Sequence, residues 1–212
     1  MTEGIALLGG GGHAAVVIEA LRATGLKPVC ILDKVREALG SHILGVPVIG
    51  GDDKLAAAGA THFIVTLGAV APGDGMNRQR LFDAGLAAGL LPMSVVHPAA
   101  IVSPSATLGA GSAVMAGAII CPRAVIGRNV IVNTRAVVEH DCCIGDHVHV
   151  ATAAVLCGAV VVGDRAMVGA GATVRQCIRI AADAFIAFGS AVGTDVAPGV
   201  TVMGVPARAR KH

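Results

Sequence analysis

From Val102 to Val192 every sixth residue is aliphatic, sixteen positions in succession without an insertion or a slip. Two residues ahead of most of them stands a small side chain, as at Ala100, Ala118, Ala136, Ala154 and Ala172. A period of six fits neither the 3.6 of an α-helix nor the two-residue alternation of a strand. It is the period of the hexapeptide β-helix, in which each hexad forms a short strand and a tight corner. The aliphatic residue fills the core, the small one lets the chain turn inward, and three hexads close one triangular coil. Strands of a sandwich would drift in phase at their turns, and no drift occurs. The pattern predicts a parallel β-helix over residues 94–212.

Composition agrees. Apolar residues make up 54% of the 212 residues but aromatics only 2%, with no Trp or Tyr, as suits thin coils that stack aliphatic side chains. The net charge of +2, with no basic run interleaved with aromatics, argues against nucleic-acid binding. No stretch of eighteen apolar residues is present, and no basic region precedes the N-terminal apolar run. Membrane insertion is therefore not expected, and a cytoplasmic location is. The six cysteines show no C-x-x-C spacing and read as free, mostly buried thiols of a reducing compartment.

Residues 1–93 read as a small Rossmann-like α/β domain. Residues 4–8 are apolar and strand-like, Gly9-Gly10-Gly11-Gly12-His13 follows at once, and Ala14 to Ala23 reads as a helix. Gly9, Gly11 and Ala14 satisfy G-x-G-x-x-G/A at a strand-to-helix turn, where bare backbone amides can approach a phosphate. A second strand, Pro28 to Leu32, ends in Asp33, placed where an acid would meet a ribose hydroxyl. Residues 41–60 read as a loop, Phe63 to Leu67 as a strand, 71–75 as a loop, Asn77 to Ala88 as a helix and Met93 to Val96 as a strand. At the other end Pro198 takes the next core slot, and the chain leaves through Gly204-Val205-Pro206-Ala207-Arg208 and a basic tail reaching Lys211.

One segment of the repeat is polar, running from Glu139 to His149 and holding three of the eight histidines. His140 follows core Val138 by two residues, which puts it at a corner, and Asp141 can hold one imidazole nitrogen and fix the tautomer. His149 directly precedes core Val150 and should point outward from a flat face, where it and His140 can line one groove. His147 reads as an ordinary surface histidine. Val125, Ile131, Val137, Val155 and Val161 also precede core positions and should point outward, leaving apolar faces that a trimer would bury.

The glycine turn, Leu32-Asp33, His97 to Ala100, the run from Glu139 to Ala151 and the closing Gly204 to Arg208 together resemble the hexapeptide-repeat nucleotide-sugar N-acetyltransferases of the sialic acid O-acetyltransferase-like family. The resemblance covers essentially the whole chain. It implies a left-handed β-helix, a homotrimer with intersubunit active sites, and acetyl-CoA as co-substrate without a metal. The implied reaction acetylates the 4-amino group of a nucleotide-linked 4-amino-4,6-dideoxysugar used in glycan assembly. The branch acting on GDP-perosamine is the nearest, UDP-4-amino-sugar enzymes come next, and sialic acid-type O-acetylation is a further variant. By motif, His140 matches the catalytic base and Asp141 its acidic partner. Gly11, Gly12, His13, Asp33, Lys34, Gly68 and Asn133 match substrate contacts, and His149, Gly158, Ala170 and Phe188 match coenzyme contacts. Phe188 departs from the small residue of some relatives, and Lys34 replaces an acid of others, which leaves the nucleotide open.

Other classes compete. A zinc hydratase of the hexapeptide class would use His140, His147 and His149, although the two-residue spacing of the last pair points them the same way. A non-enzymatic solenoid explains the repeat but neither the glycine turn nor the histidines. A nicotinamide-dependent oxidoreductase explains the turn and leaves the repeat without a role.

Overall fold

The computed structural model describes residues 4–34 and 41–210, so Lys211 of the basic tail lies outside the described residues. The chain begins with β1 (Ile5–Leu8), α1 (Gly12–Ala23) and β2 (Pro28–Leu32). β1 is apolar throughout because it is covered on both faces. Ile5 and Leu7 pack on Ala14, Val17, Ile18 and Leu21 of α1, while Ala6 and Leu8 pack on Phe63, Leu81 and Phe82.

Residues 41–60 are not the loop expected from their glycines. β3 (His42–Ile43) and β4 (Val46–Gly50) form a hairpin whose two turn residues, Leu44 and Gly45, have φ of 48° and 79°. A two-residue turn with positive φ at both positions matches the twist of the strands it joins, so Gly45 marks a hairpin. After a 3₁₀ turn at Asp52–Ala57 come β5 (His62–Val65), α2 (Asp74–Ala87) and β6 (Leu91–Pro92). α2 begins three residues earlier than expected, with the Asp74 carboxylate accepting the amides of Val70 and Ala71 at 2.8 Å each.

The sheet order is β3-β4-β2-β1-β5-β6, parallel except between β3 and β4. The chain leaves β1 to one side for β2 and returns to the other for β5. This reversal opens a crevice beyond the C-terminal ends of β1 and β5, the usual ligand position in such sheets.

From Val95 onward the chain is a left-handed parallel β-helix of three sheets. Each two-residue strand pairs with the one eighteen residues later, as in Val114 with Val132 and Val132 with Val150. The aliphatic positions from Val114 to Val192 are buried, and only Val102 and Leu108 of the first coil are partly exposed. The third residue after core positions lies in the left-handed backbone region, at Gly111, Gly117, Gly171 and Gly189 but also at Arg123, Asn129, Asp141 and His147. The final coil is shortened: Val202 pairs with Ile186, Val196 bridges Ile180, and Pro198 stands exposed outside the core.

The two parts share a core. Val95, Ala113 and Met115 of the solenoid cluster with Ile5, Val17 and Leu21. The N-terminal domain thus covers one solenoid face, which corrects the expectations for Ile131, His147 and His149. Val125 is open to solvent and Val137, Val155 and Val161 are half-buried, but Ile131 is wholly buried. His147 and His149 are buried too, at 5% exposure each. Among the cysteines only Cys30 and Cys142 are buried, and Cys143 and Cys177 are exposed.

Candidate active site

A cavity of about 300 Å³ occupies the crevice, with Gly9, Asp33, Lys34, Leu67, Gly68 and Asp52 in its lining. The Gly10 amide donates to Asp33 Oδ2 at 2.6 Å, and a Cβ on Gly10 would stand only 3.0 Å from that oxygen. Gly11 caps α1 without a side-chain hydrogen bond, and a Cβ on Gly11 or Gly12 would meet nothing within 4 Å. The first turn of α1 therefore presents bare amides to open space, an arrangement suited to phosphate. Asp33, Lys34 and Gly68 come together as the sequence predicts. The Arg80–Asp52 ion pair, at 2.6 Å with both residues in the same lining, was not anticipated.

His13, in the first turn of α1, has a buried Nε2 without a hydrogen-bond partner, and its ring lies 6.3 Å from that of His149. Burial, and then the nearby Arg78 cation, pull His13 down to about 4. His149 is held at both nitrogens. Asn133 Oδ1 accepts the Thr134 amide at 2.8 Å, so the Asn133 amide NH₂ faces His149 Nε2 at 3.1 Å. Nδ1 is engaged by Ala69, 3.1 Å from its amide nitrogen and 2.9 Å from its carbonyl oxygen. Burial, followed by Arg78 and His13, pulls His149 down to about 3. His149 leaves its strand outward as expected, but it meets the Leu67–Ala69 segment rather than solvent.

Arg78 of α2 is fully buried and gave no sequence signal. Its guanidinium donates to the carbonyls of Leu67 and Asn129, to Asn129 Oδ1 at 3.0 Å and to the His147 carbonyl at 3.4 Å. Burial lowers it to about 9, which leaves it charged at neutral pH. His147 packs edge-on against Phe82, with ring centroids 5.5 Å apart, and its Nδ1 lies 3.0 Å from Asn129 Nδ2.

His140 stands at an open corner of the solenoid, its side chain 57% exposed. Its Nδ1 lies 2.7 Å from Asp141 Oδ2. Asp141 also accepts both arms of Arg123, from Nε at 2.6 Å and from the terminal nitrogen at 2.7 Å. The Arg123 hydrogen bonds, and then that of His140, hold the Asp141 carboxyl well below the usual carboxylate range. Because the carboxylate only accepts, the His140 proton sits on Nδ1 and Nε2 is left free as a base. Gly158, eighteen residues on, lies against the ring: a Cβ there would stand 2.7 Å from Cε1 and Nε2. Arg123 was missed because it is distant along the chain, although its eighteen-residue offset from Asp141 is the coil repeat itself.

Ala170 and Phe188 are exposed and each follow a core residue, Val168 and Ile186, by two positions. Those core residues belong to a different sheet from Val138 and Leu156, so one chain does not bring Ala170 and Phe188 to the corner of His140 and Gly158. Nor do His140, His147 and His149 converge, and among the described residues no group of three or more His, Cys, Asp or Glu is arranged to hold a metal ion.

Residues 4–84 match the PglD N-terminal domain. PerB from Caulobacter crescentus, solved in complex with CoA and GDP-perosamine, is 40% identical with a TM-score of 0.91, over 100% of this chain and 99% of that one. A variant of perosamine N-acetyltransferase from the same organism, with a histidine replaced by Asn and the same two ligands, is 39% identical over the same shares, with a TM-score of 0.92. The acetyltransferase domain of PglB from Neisseria gonorrhoeae, solved in complex with acetyl coenzyme A, is 32% identical over 99% of this chain and 100% of that one, with a TM-score of 0.88. No curated protein sequence is significantly similar to the chain.

Proposed function

Since the chain belongs to the hexapeptide-repeat N-acetyltransferase family of PerB and the PglB acetyltransferase domain, we propose that it transfers the acetyl group of acetyl-CoA to the 4-amino group of a nucleotide-linked 4-amino-4,6-dideoxysugar, with GDP-perosamine as the lead substrate. The observation that carries this reading is the His140–Asp141 pair, 2.7 Å apart at an open corner, with Nε2 of the ring unengaged.

The amino group must be neutral to attack a thioester. His140 Nε2 accepts a proton from the nitrogen as the C–N bond forms, and coenzyme A leaves as the C–S bond breaks. Such a base contributes about 10²–10⁴-fold. Asp141 keeps the ring in the Nδ1–H tautomer, and no step calls for a metal. The cavity with Asp33, Lys34 and Gly68 takes the nucleotide, the amides at Gly11 and Gly12 its phosphates, and His13 with Asn133 lies on the path of the sugar.

Gly158 lies at one edge of the solenoid and Ala170 and Phe188 at another. A coenzyme groove formed by all three needs two subunits, with the edge of one chain against the edge of its neighbour. The exposed Phe188, at 82%, and Val125, at 48%, supply apolar surface for such packing. We therefore assign a homotrimer with the acetyl-CoA site between subunits, a nucleotide-sugar domain over residues 1–93 and an acetyltransferase domain over 94–212. Among the described residues no helix is long and apolar enough to cross a membrane. We place the reaction in the cytoplasm, where acetyl-CoA is supplied and free thiols persist.

Thiol release from acetyl-CoA, measured against a panel of GDP- and UDP-linked 4-amino-sugars and their 4-hydroxy counterparts, tests this. Release that depends on a nucleotide-linked amino sugar, fastest with GDP-perosamine, is expected. Release only with the hydroxy sugars, or with none, overturns the assignment.

A further inference from the structure

The Leu67–Ala69 segment forms part of the cavity wall and is fastened to the solenoid at both ends. The Leu67 carbonyl accepts from Arg78, whose remaining donors reach the Asn129 and His147 carbonyls and Asn129 Oδ1 on the solenoid. Asn129 Nδ2 returns a hydrogen bond to the Arg78 carbonyl at 3.2 Å. At the other end the Ala69 amide and carbonyl meet His149 Nδ1 at 3.1 and 2.9 Å, and the second ring nitrogen is held by Asn133. Between them, a Cβ on Gly68 would already touch His149 Cε1, at 3.7 Å.

Stability alone does not account for this construction. A fully buried guanidinium with no carboxylate partner among the described residues is expensive, and an apolar side chain docks two elements without that penalty. What an apolar side chain lacks is a planar fork of donors that fixes three carbonyls in relation to one another. Both fasteners act on a segment that borders the cavity and the solenoid face together.

On the function proposed above, we infer that Arg78 and His149 are positioning residues: they lock the Leu67–Ala69 wall of the nucleotide cavity to the solenoid, so that a sugar carried by the bound nucleotide is presented at a fixed place for acetyl transfer. Misplacement by an ångström costs about 10²-fold in rate, so the effect belongs in turnover rather than in coenzyme affinity.

Two measurements on the full chain with Arg78→Lys, which keeps the charge but loses the fork, test this, and Arg78→Met, which keeps the unbranched apolar stem without donors, is the second variant. Amide hydrogen exchange of residues 67–70 should quicken about tenfold, with α1 and the later coils unchanged. The kcat with the accepted nucleotide-linked amino sugar should fall about 10–100-fold, with KM for acetyl-CoA within about twofold of wild type. Unchanged exchange at 67–70, or a loosened segment with wild-type kcat, overturns the inference. So does loss of the fold in both variants, which makes the role purely structural. If the wild-type chain acetylates no nucleotide-linked amino sugar, the proposed function fails, and the exchange data alone decide whether the wall is fastened.

Discussion

The His140 imidazole lies against the backbone of Gly158 in the next coil, so close that a Cβ on Gly158 would stand 2.7 Å from Cε1 and Nε2. The candidate base is therefore placed by two contacts, the Asp141 carboxylate on one side and a bare α-carbon on the other. Gly158→Ala must push the ring off this position. Because the ring is exposed and free to swing, the cost falls on catalysis: kcat should drop at least about tenfold, with a melting temperature within about 1 °C of wild type. A normal kcat in this variant would show that the ring position seen here is not the working one.

Asp141 shares its carboxylate between His140 and Arg123. Its φ of 61° is one that Asn also tolerates, so Asp141→Asn removes the charge without straining the corner. Steady-state assays should show kcat reduced about 10–100-fold by Asp141→Asn and a few-fold by Arg123→Ala. Arg123→Ala in the Asp141→Asn background should add little, because the two act through one contact. Fully additive losses would separate Arg123 from the pair.

Acid should destabilise the fold through His13 and His149. Burial and then Arg78 hold them at about 4 and about 3 when folded, against 6.5 for a free imidazole. Between these values the unfolded chain binds more protons, so the stabilisation is complete above pH 6.5 and is lost as pH falls towards 4 and then 3. Each histidine contributes a slope of up to about 1.4 kcal/mol per pH unit. Melting temperatures should be level from pH 8 to 7 and decline from pH 6.5 to 4.5. A flat profile across both ranges would contradict the burial of these rings.

The hexad register made the solenoid legible in advance, because core positions recur at a fixed interval and nothing outside the coil alters them. His140 and Asp141 were legible for the same reason: a polar pair at a corner stands out against an aliphatic ruler. Arg123 was within reach of the same ruler, read across coils instead of along the chain. His147, His149 and Ile131 were not, since their burial depends on the N-terminal domain docking on one solenoid face, and docking leaves no period in the sequence. Arg78 is the extreme case, a charged residue in a polar helix whose partners, apart from the Leu67 carbonyl, come from the other domain. Gly45 was visible but misread, as the mark of a loop rather than of a hairpin.

The role proposed for His140, the base for acetyl transfer, is isolated by the variant His140→Ala. The initial rate of thiol release should be measured with acetyl-CoA and the nucleotide-linked amino sugar that the wild-type chain accepts best. The prediction is a fall of at least about 10²-fold, with acetyl-CoA binding and the melting temperature unchanged, because the removed ring is 57% exposed and carries no packing of the core. A variant that turns over at a near wild-type rate would rule His140 out as the base.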